Sequence, residues 1–233
     1  METRDIGWLT AAGIGALLFW SSFASVMRPP EPHPGLTDDE LQEALREDWT
    51  HDALSYWKAR KTLFQKIDGD GRQAEGRYTG EKLEYFSQPL PNSGTMEHAW
   101  PLTRLPAEAR TDLHHLFPVI PEARVARVNL RYGNVMFAVW SRGGSQAGPS
   151  SHVKPVFEVR KKYRGDVARA MFYIATMYDL EIPDREEKTL RDWHHDDKVS
   201  REERDRNERV ERHQESRNPF IDHPKLTKRI SDF

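Results

Sequence analysis

The chain has 233 residues, a formal net charge of −2 and no cysteine. These values exclude disulfides, thiolate nucleophiles and cysteine-based zinc sites, and they give no overall attraction to nucleic acid. The length and the 37% hydrophobic content predict one sizeable packed domain, while the 31% of charged residues predicts polar extensions around it.

The first segment in chain order is apolar. Residues 6–27 contain no charged side chain over 22 positions, close to the roughly 20 residues that a helix needs to cross a bilayer. Ser22-Phe23-Ala24 resembles the small-residue cleavage site of a signal peptide. We interpret residues 1–28 as a signal peptide or a membrane anchor and residues 29–36 as a proline-rich linker. The remainder is then exported, to the periplasm or the medium, and the anchor would tether it to the membrane.

Helical patterns begin after the linker. Thr37 with Glu40 is a capping-box pattern that predicts a helix, and a second helix is predicted around residues 54–64. Glycine-rich turns with short apolar and polar alternation then predict a hairpin in residues 66–80. The next region, residues 97–148, is punctuated by glycine and proline and shows few long periodic runs.

Three further helices are predicted toward the C-terminus. Apolar residues at spacings of three and four predict a core helix in residues 164–178, with Asp166 as its N-cap. A charged helix follows it, and Ser200 with Glu203 forms a second capping box before the last one. The pattern as a whole predicts an α+β domain over residues 37–226, mainly helical with a small antiparallel sheet, and a tail over residues 227–233.

A basic stretch lies between residues 124 and 169, where ten basic residues stand against two acidic ones, a net charge of +8. Such a stretch is what a surface that binds phosphates requires, although scattered basic side chains also solvate ordinary surfaces. The residues predicted to bind nucleic acid are Arg124, Arg127, Arg142, Lys161, Lys162 and Arg164.

The pair Glu97 and His98 carries complementary chemistry. A glutamate is a hard oxygen ligand for Mg²⁺, and a neutral histidine can take a proton from water near neutral pH. Consecutive side chains of a regular strand point to opposite faces, so the pair works together only where the strand ends or bulges. Pro101, just downstream, makes such an ending plausible.

Several motifs in order resemble the endonuclease I family of bacterial periplasmic and extracellular nucleases. The matching segments are "YWKARKTLFQKID", "MEHAWP", "TDLHHLFPV", "VNLRYGN", "FEVRKKYRGDVARAMFY" and "RNPFIDHPKL". The resemblance implies a ββα-metal (His-Me finger) site and a monomer that cuts DNA, and often RNA, with little sequence preference.

The resemblance also implies the roles of individual residues. His98 would be the general base, and Glu97 with Asn129 would bind Mg²⁺, with Ca²⁺ or Mn²⁺ as alternatives. This assignment treats "EARVAR" as containing an insertion; an alignment without a gap puts Arg124 at the position of Asn129. Activity is then expected to fall as the pH drops through the pKa of His98.

Other side chains are expected to support the reaction. The arginine that stabilises the scissile phosphate would be one of Arg110, Arg127 and Arg131. Structural roles near the site are expected for Asp112, His114, Asn134 and Asn218. Two other functions stay open from the sequence: an inactive nucleic-acid-binding protein, and an envelope protein whose basic stretch meets anionic lipid.

Overall fold

Seven α-helices and three small β-sheets are formed by residues 29–86 and 93–233, the part of the chain that the structure, a computed structural model, describes. The predicted signal or anchor segment, residues 1–28, lies outside these residues. Within them, no helix is long and apolar enough to cross a membrane.

The helices agree with the predicted α+β class. They are α1 (Asp38–Glu47), α2 (Tyr56–Thr62), α3 (Pro121–Arg127), α4 (Arg164–Met177), α5 (Asp184–Asp196), α6 (Arg201–Gln214) and α7 (Pro219–Asp222).

The strands form three sheets rather than one. They are β1 (Gln73–Glu75), β2 (Lys82–Glu84), β3 (Thr95–His98), β4 (Leu116–Val119), β5 (Arg131–Tyr132), β6 (Trp140–Arg142), β7 (Ser145–Pro149) and β8 (Pro155–Glu158). β1 pairs with β2 and β3 with β4, both antiparallel, and the third sheet has the order β5-β8-β7-β6. The prediction was of a small antiparallel sheet, and the pairs β6–β7 and β7–β8 are antiparallel, whereas the β5–β8 pair is parallel.

Helix α4 forms the centre of the core. Every residue from Val167 to Met177 is buried, and the helix contacts α1 and α5. A helix that is buried all round must be mostly apolar, which explains why the sequence pattern there was the clearest in the chain.

The predicted helix caps were partly correct. The Ser200 hydroxyl accepts a hydrogen bond from the Glu203 backbone nitrogen at 3.0 Å, as the capping-box pattern indicates. Thr37, in contrast, makes no side-chain cap, and Asp166 lies inside α4 instead of capping it. Its carboxylate pairs with the Arg77 guanidinium at 3.2 Å. The local sequence pattern assigned Asp166 to a helix cap, but in the folded chain its carboxylate forms a tertiary ion pair instead.

Residues 227–233, predicted as a tail outside the domain, pack into it. The Phe233 ring stacks on Phe172 of helix α4 with ring centroids 4.4 Å apart. The Arg229 side chain donates to the Leu36 carbonyl oxygen at 2.7 Å. These contacts join the two ends of residues 32–233, which form one compact unit.

A buried ion cluster holds the β3–β4 hairpin against helix α6. Arg206 donates to Asp68 at 2.8 Å and also to the Leu116 carbonyl oxygen at 2.8 Å, at the first residue of β4. Because a buried guanidinium needs partners for its donors, these contacts stabilise the hairpin in one position relative to the helix.

Candidate active site

The β3–β4 hairpin presents Glu97 and His98 to one pocket. In the antiparallel register, Glu97 lies opposite Phe117 and His98 opposite Leu116. His98 is the last residue of β3, so the chain turns away immediately after it. Both side chains line the same cavity, about 500 Å³ in volume. The predicted strand ending is therefore what allows neighbouring residues to share a site.

The His98 ring is held in one orientation by the backbone. Its Nε2 atom lies 2.9 Å from the Arg110 carbonyl oxygen, and because a carbonyl oxygen can only accept, Nε2 carries the proton and donates it. The Nδ1 atom is then the basic nitrogen, and it makes no hydrogen bond to any residue that the structure describes. A general base requires this arrangement of one anchored and one open nitrogen.

Burial, together with the neighbouring His115 and the guanidinium groups of Arg124 and Arg110, lowers the pKa of His98 to about 3, although the hydrogen bond to the Arg110 carbonyl acts to raise it. The imidazole is thus neutral well below neutral pH. An ordinary histidine becomes protonated, and can no longer act as a base, near pH 6.5. In the free protein, His98 becomes protonated only near pH 3. The predicted fall of activity through the His98 pKa therefore belongs at a lower pH.

Glu97 is paired with an arginine. Its Oε2 atom lies 3.4 Å from Nε of Arg124 on helix α3. The Glu97 side chain is 7% exposed, whereas that of Arg124 is 47% exposed. Burial raises the pKa of Glu97 to about 7, although the guanidinium groups of Arg127 and Arg124 both act to lower it. The carboxylate therefore sits in a poorly solvated position where a positive partner stabilises its charged form.

Asn129 lies beyond the helix that carries Arg124. Residues 122–127, which the sequence interpretation treated as containing an insertion, form most of helix α3, and the helix begins two residues after β4 ends. Asn129 is exposed and lines the edge of the same pocket. The hairpin and helix thus bring Arg124, the residue that the alignment without a gap puts at the position of Asn129, into contact with Glu97.

Comparison with known proteins supports the resemblance. Residues 92–225, more than half of the chain, match the family model described as endonuclease I. The chain belongs to the endonuclease I family. It is 30% identical to an extracellular ribonuclease of Bacillus subtilis (strain 168), over 94% of this chain and 85% of that protein.

Further relatives of this endonuclease I family member match over shorter lengths. An extracellular ribonuclease of Bacillus amyloliquefaciens is 33% identical over 58% of this chain and 52% of its own. A periplasmic deoxyribonuclease of Aeromonas hydrophila is 30% identical over 48% of this chain and 47% of its own. The family thus includes proteins named for RNA and for DNA.

The side chains at Glu97 do not fit the predicted Mg²⁺ as they stand. The Glu97 carboxylate faces a guanidinium, and Mg²⁺ prefers octahedral oxygen ligands, usually including one or two carboxylates. Within residues 29–86 and 93–233, no group of three or more histidine, aspartate or glutamate side chains could hold a metal ion. Ca²⁺ needs more oxygen ligands still, and Mn²⁺ favours the same hard donors.

The three candidate phosphate arginines take different positions. Arg110 is exposed, and its guanidinium lies close enough to His98 to lower the histidine pKa. Arg131 is exposed on β5 and lines a second pocket, which it shares with Asn129 and Asn134. Only Arg110 among these three therefore lies beside His98 with an exposed side chain.

Arg127 is a structural residue rather than a phosphate ligand. Its side chain is fully buried, donates to the carbonyl oxygens of Ala99 at 2.7 Å and Val128 at 2.9 Å, and lies over the Tyr132 ring. The prediction that it contacts nucleic acid is not supported, because a guanidinium with no exposed surface cannot reach a phosphate. Its bonds instead join helix α3 to the end of β3.

Several residues of the basic stretch form ion pairs, some with acidic residues from elsewhere in the chain and one with Glu158 of the stretch itself. Arg142 donates to Glu81 at 2.7 Å and also pairs with Glu122. Arg164 pairs with Glu158. In the same way, Lys162 lies 3.6 Å from Glu202 and 3.8 Å from Glu75.

The ion pairs change which basic residues can bind phosphate. Of the six predicted nucleic-acid contacts, Arg127 is buried and Arg142, Lys162 and Arg164 are paired. Lys161 is exposed, and Arg124 keeps half of its surface in the pocket mouth beside Glu97. Ion pairs thus offset part of the +8 charge of this stretch in the folded domain.

Asp112 is the hub of the bracing contacts behind the site. This fully buried carboxylate accepts hydrogen bonds from the His114 backbone nitrogen, Tyr173, Tyr178 and Gln214, all between 2.8 and 3.0 Å. Its pKa is lowered despite burial, because the nearby His114, His51 and His115 and these donors stabilise the charged form. The network stabilises the turn between Arg110 and His115, which carries the carbonyl that orients His98.

The other predicted structural residues also anchor the chain. The His114 ring lies 3.0 Å from the Ser216 carbonyl oxygen. Asn218 caps helix α7 by accepting from the Phe220 nitrogen at 3.0 Å, and it donates to the Arg169 carbonyl at 2.9 Å. Asn134 accepts a hydrogen bond from the Trp193 indole at 3.2 Å.

Two features of the site were not predicted from the sequence. One is the Arg110 carbonyl as the partner of His98, since no pattern of side chains indicates a backbone acceptor. The other is the contact between Arg124 and Glu97, for which the alignment without a gap was the available signal.

Proposed function

We propose that this chain is an exported nuclease that hydrolyses phosphodiester bonds in DNA and RNA with little sequence preference. The observation that carries the proposal is the His98 imidazole, neutral and anchored through Nε2, with its basic Nδ1 unpaired in a pocket that also holds Glu97 and Arg124. The relatives named as extracellular ribonucleases and a periplasmic deoxyribonuclease support both the activity and the location.

The reaction begins at His98. Nδ1 takes a proton from a water molecule, whose oxygen attacks the phosphorus of a bound phosphodiester. The bond from phosphorus to the departing 3′ oxygen breaks, and solvent supplies the proton that this oxygen needs. A positioned base of this kind contributes about 10²- to 10⁴-fold to the rate.

The neighbouring groups position the base and the substrate. The Arg110 carbonyl keeps the ring from rotating and leaves Nδ1 free for the proton. The exposed guanidinium groups of Arg110 and Arg124 lie near enough to act on His98 electrostatically. Of the two, Arg124 lines the pocket, where it would meet a bound phosphate. A nonspecific nuclease needs no more than this, because backbone contacts carry no sequence information.

The test is cleavage of supercoiled plasmid and of single-stranded RNA by the full-length chain. We expect nicking and degradation that His98→Ala abolishes. His195→Ala is the matched control, because that histidine is exposed on helix α5 and, among the described residues, pairs only with its neighbour Asp196. Loss of cleavage in the control as well, or unchanged cleavage in His98→Ala, would refute the role of His98.

A nucleic-acid-binding protein without cleavage is the second candidate. It is favoured by the pairing of Glu97 with Arg124, which leaves the carboxylate occupied. Tight, salt-sensitive binding with no product from DNA or RNA, with or without divalent ions, would establish this function instead. The envelope function, in which the basic stretch would meet anionic lipid, is less favoured, because part of that stretch is paired with acidic residues.

A further inference from the structure

We propose that the Arg124 guanidinium takes the place of a divalent cation at Glu97 and binds the scissile phosphate, so that cleavage by this chain requires no metal ion. The inference rests on the proposed nuclease function, and it concerns how the charge of the phosphate is neutralised.

The carboxylate already has a cation beside it. Arg124 Nε lies 3.4 Å from Glu97 Oε2, and the fully buried Arg127 is a second guanidinium close enough to act on the same group. A divalent ion bound to Glu97 would therefore approach two positive charges, one of which cannot move to solvent. Repulsion between like charges weakens such binding, and Arg124 would have to leave the carboxylate first.

The other predicted ligand does not offset this repulsion. Asn129 supplies a neutral amide from an exposed position at the pocket edge, two residues beyond the end of helix α3. The two ligands would be the Glu97 carboxylate, whose charge is shared with Arg124, and the neutral Asn129 amide. Together they provide little negative charge for a hard divalent ion.

The guanidinium is placed to bind a phosphate oxygen. Nε faces Glu97, and Nη1 makes a long contact of 3.5 Å with the Thr95 hydroxyl. The Nη2 group makes no hydrogen bond to the described residues, and 47% of the side chain is exposed in the mouth of the pocket that His98 lines. Arginine presents its donors in a planar fork that matches phosphate geometry. Glu97 then acts as a positioning residue, holding the fork toward the bound phosphodiester.

The chemistry balances without a further reactant. The water proton goes to His98 Nδ1, the new bond forms between the water oxygen and phosphorus, and the bond to the 3′ oxygen breaks. The negative charge that develops on the phosphoryl oxygens is met by Arg124, and the departing oxygen takes its proton from solvent. Preorganised donors of this kind are worth about 10²- to 10³-fold in rate when one is removed.

Cleavage in chelator is the first test. Plasmid and RNA are incubated with the full-length chain in EDTA and in Mg²⁺ at matched ionic strength, alongside Arg124→Asn and Glu97→Gln. We expect the wild-type chain to cleave equally in both buffers. In EDTA, Arg124→Asn should be slower by about 100-fold, the loss expected for one removed donor. Arg124→Asn should also regain rate when Mg²⁺ is added, because its carboxylate is then free to bind an ion.

Direct metal binding is the second test and does not depend on activity. Electron paramagnetic resonance of Mn²⁺ titrated with protein should show no tight stoichiometric site in the wild-type chain and one site in Arg124→Asn. Arg201→Asn is the matched control, since that arginine is 94% exposed on helix α6 and outside the pocket. It should match the wild-type chain in both tests.

The outcomes separate the two proposals. Cleavage that appears only with Mg²⁺, together with a Mn²⁺ site that Glu97→Gln removes, would overturn the inference and leave the nuclease function standing. If no condition gives cleavage, the nuclease function fails. A tight wild-type Mn²⁺ site would then refute replacement of the ion by Arg124, and its absence would support that replacement.

Discussion

Arg124 on helix α3 and Glu97 on strand β3 are joined by an ion pair of 3.4 Å in the pocket that contains His98. The pair links the helix to the strand at the position where chemistry is expected. It also makes the electrostatics of this pocket depend on a residue 27 positions away in the sequence.

The two neighbouring arginines of helix α3 should respond differently to substitution. Arg124→Met should weaken nucleic-acid binding and reduce the slope of log affinity against log salt concentration by about one, because one phosphate contact is lost. Arg127→Met should lower the melting temperature without changing that slope, since its donors satisfy the carbonyls of Ala99 and Val128. Fluorescence anisotropy with labelled DNA over a salt series, together with thermal unfolding, measures both. Equal slopes for the two variants would contradict the assignment.

The basic stretch offers a second comparison. Lys161→Gln should weaken binding more than Arg142→Gln, because Lys161 is exposed whereas Arg142 is already paired with Glu81 and Glu122. Arg142 with Glu81 and Glu122 already has a net charge of −1, so this group of side chains does not attract phosphate in the wild-type chain, and salt screens its effect on distant phosphates. The measurement is the dissociation constant of each variant at two salt concentrations. A larger loss for Arg142→Gln would show that its ion pairs open in the complex.

Replacing the carboxylate hub should destabilise the domain. The Asp112 carboxylate accepts four hydrogen bonds, and Asp112→Asn replaces one of its two acceptor oxygens with an NH₂ group, which donates. The free energy of unfolding should therefore fall by about 1.5–3 kcal/mol, the range for hydrogen bonds to a charged group. Urea unfolding followed by circular dichroism measures the change. Asp196→Asn, at an exposed aspartate, is the control and should leave the midpoint unchanged.

Helix α3 ends in a strained residue. Val128 has φ +43 and ψ −115, a conformation that a β-branched residue adopts only at a cost of about 1–3 kcal/mol. Val128→Gly should therefore raise stability or leave it unchanged, despite the entropy that glycine adds to the unfolded chain. Val125→Gly, in the same helix, should destabilise by roughly a few tenths of a kcal/mol, the difference in helix propensity between valine and glycine. Melting temperatures of the two variants test the contrast, and a loss in Val128→Gly as large as that in Val125→Gly would refute it.

Buried histidines should make stability depend on pH. Burial lowers the pKa of His194 to about 4, so between pH 6.5 and 4 the unfolded chain binds a proton that the folded chain does not. Stability from this group is therefore present above pH 6.5 and is lost as the pH falls toward 4.

The measurement must be a comparison of variants. Glu97 and Asp166, whose pKa values are raised to about 7, change stability in the opposite sense over this range. The free energy of unfolding is measured at pH 7.5 and at pH 5 in both proteins. The decrease between the two pH values should be smaller in His194→Gln than in the wild-type chain. An identical loss in both proteins would exclude a contribution from His194.

Sequence patterns were most informative where one physical requirement decided the structure. The core helix was predictable because a helix buried on all sides must be mostly apolar, which left apolar residues at spacings of three and four. The end of strand β3 was indicated by Pro101. The antiparallel hairpin was less visible, since β3 and β4 have four residues each and show no clear alternation. The Ser200 cap was predictable because its bond reaches only three residues along the chain.

Taken alone, the order of residues determined the family, the α+β class and the pairing of an acid with an imidazole at Glu97 and His98, because each of these depends on local pattern or on motifs in order. Tertiary structure decided the electrostatics. It brought Arg124 to Glu97, buried Arg127, paired Arg142 with distant carboxylates and set the Arg110 carbonyl against His98. Charge–charge and hydrogen-bond energies depend on distances of a few ångströms and on burial, and neither quantity can be read from spacing along the chain.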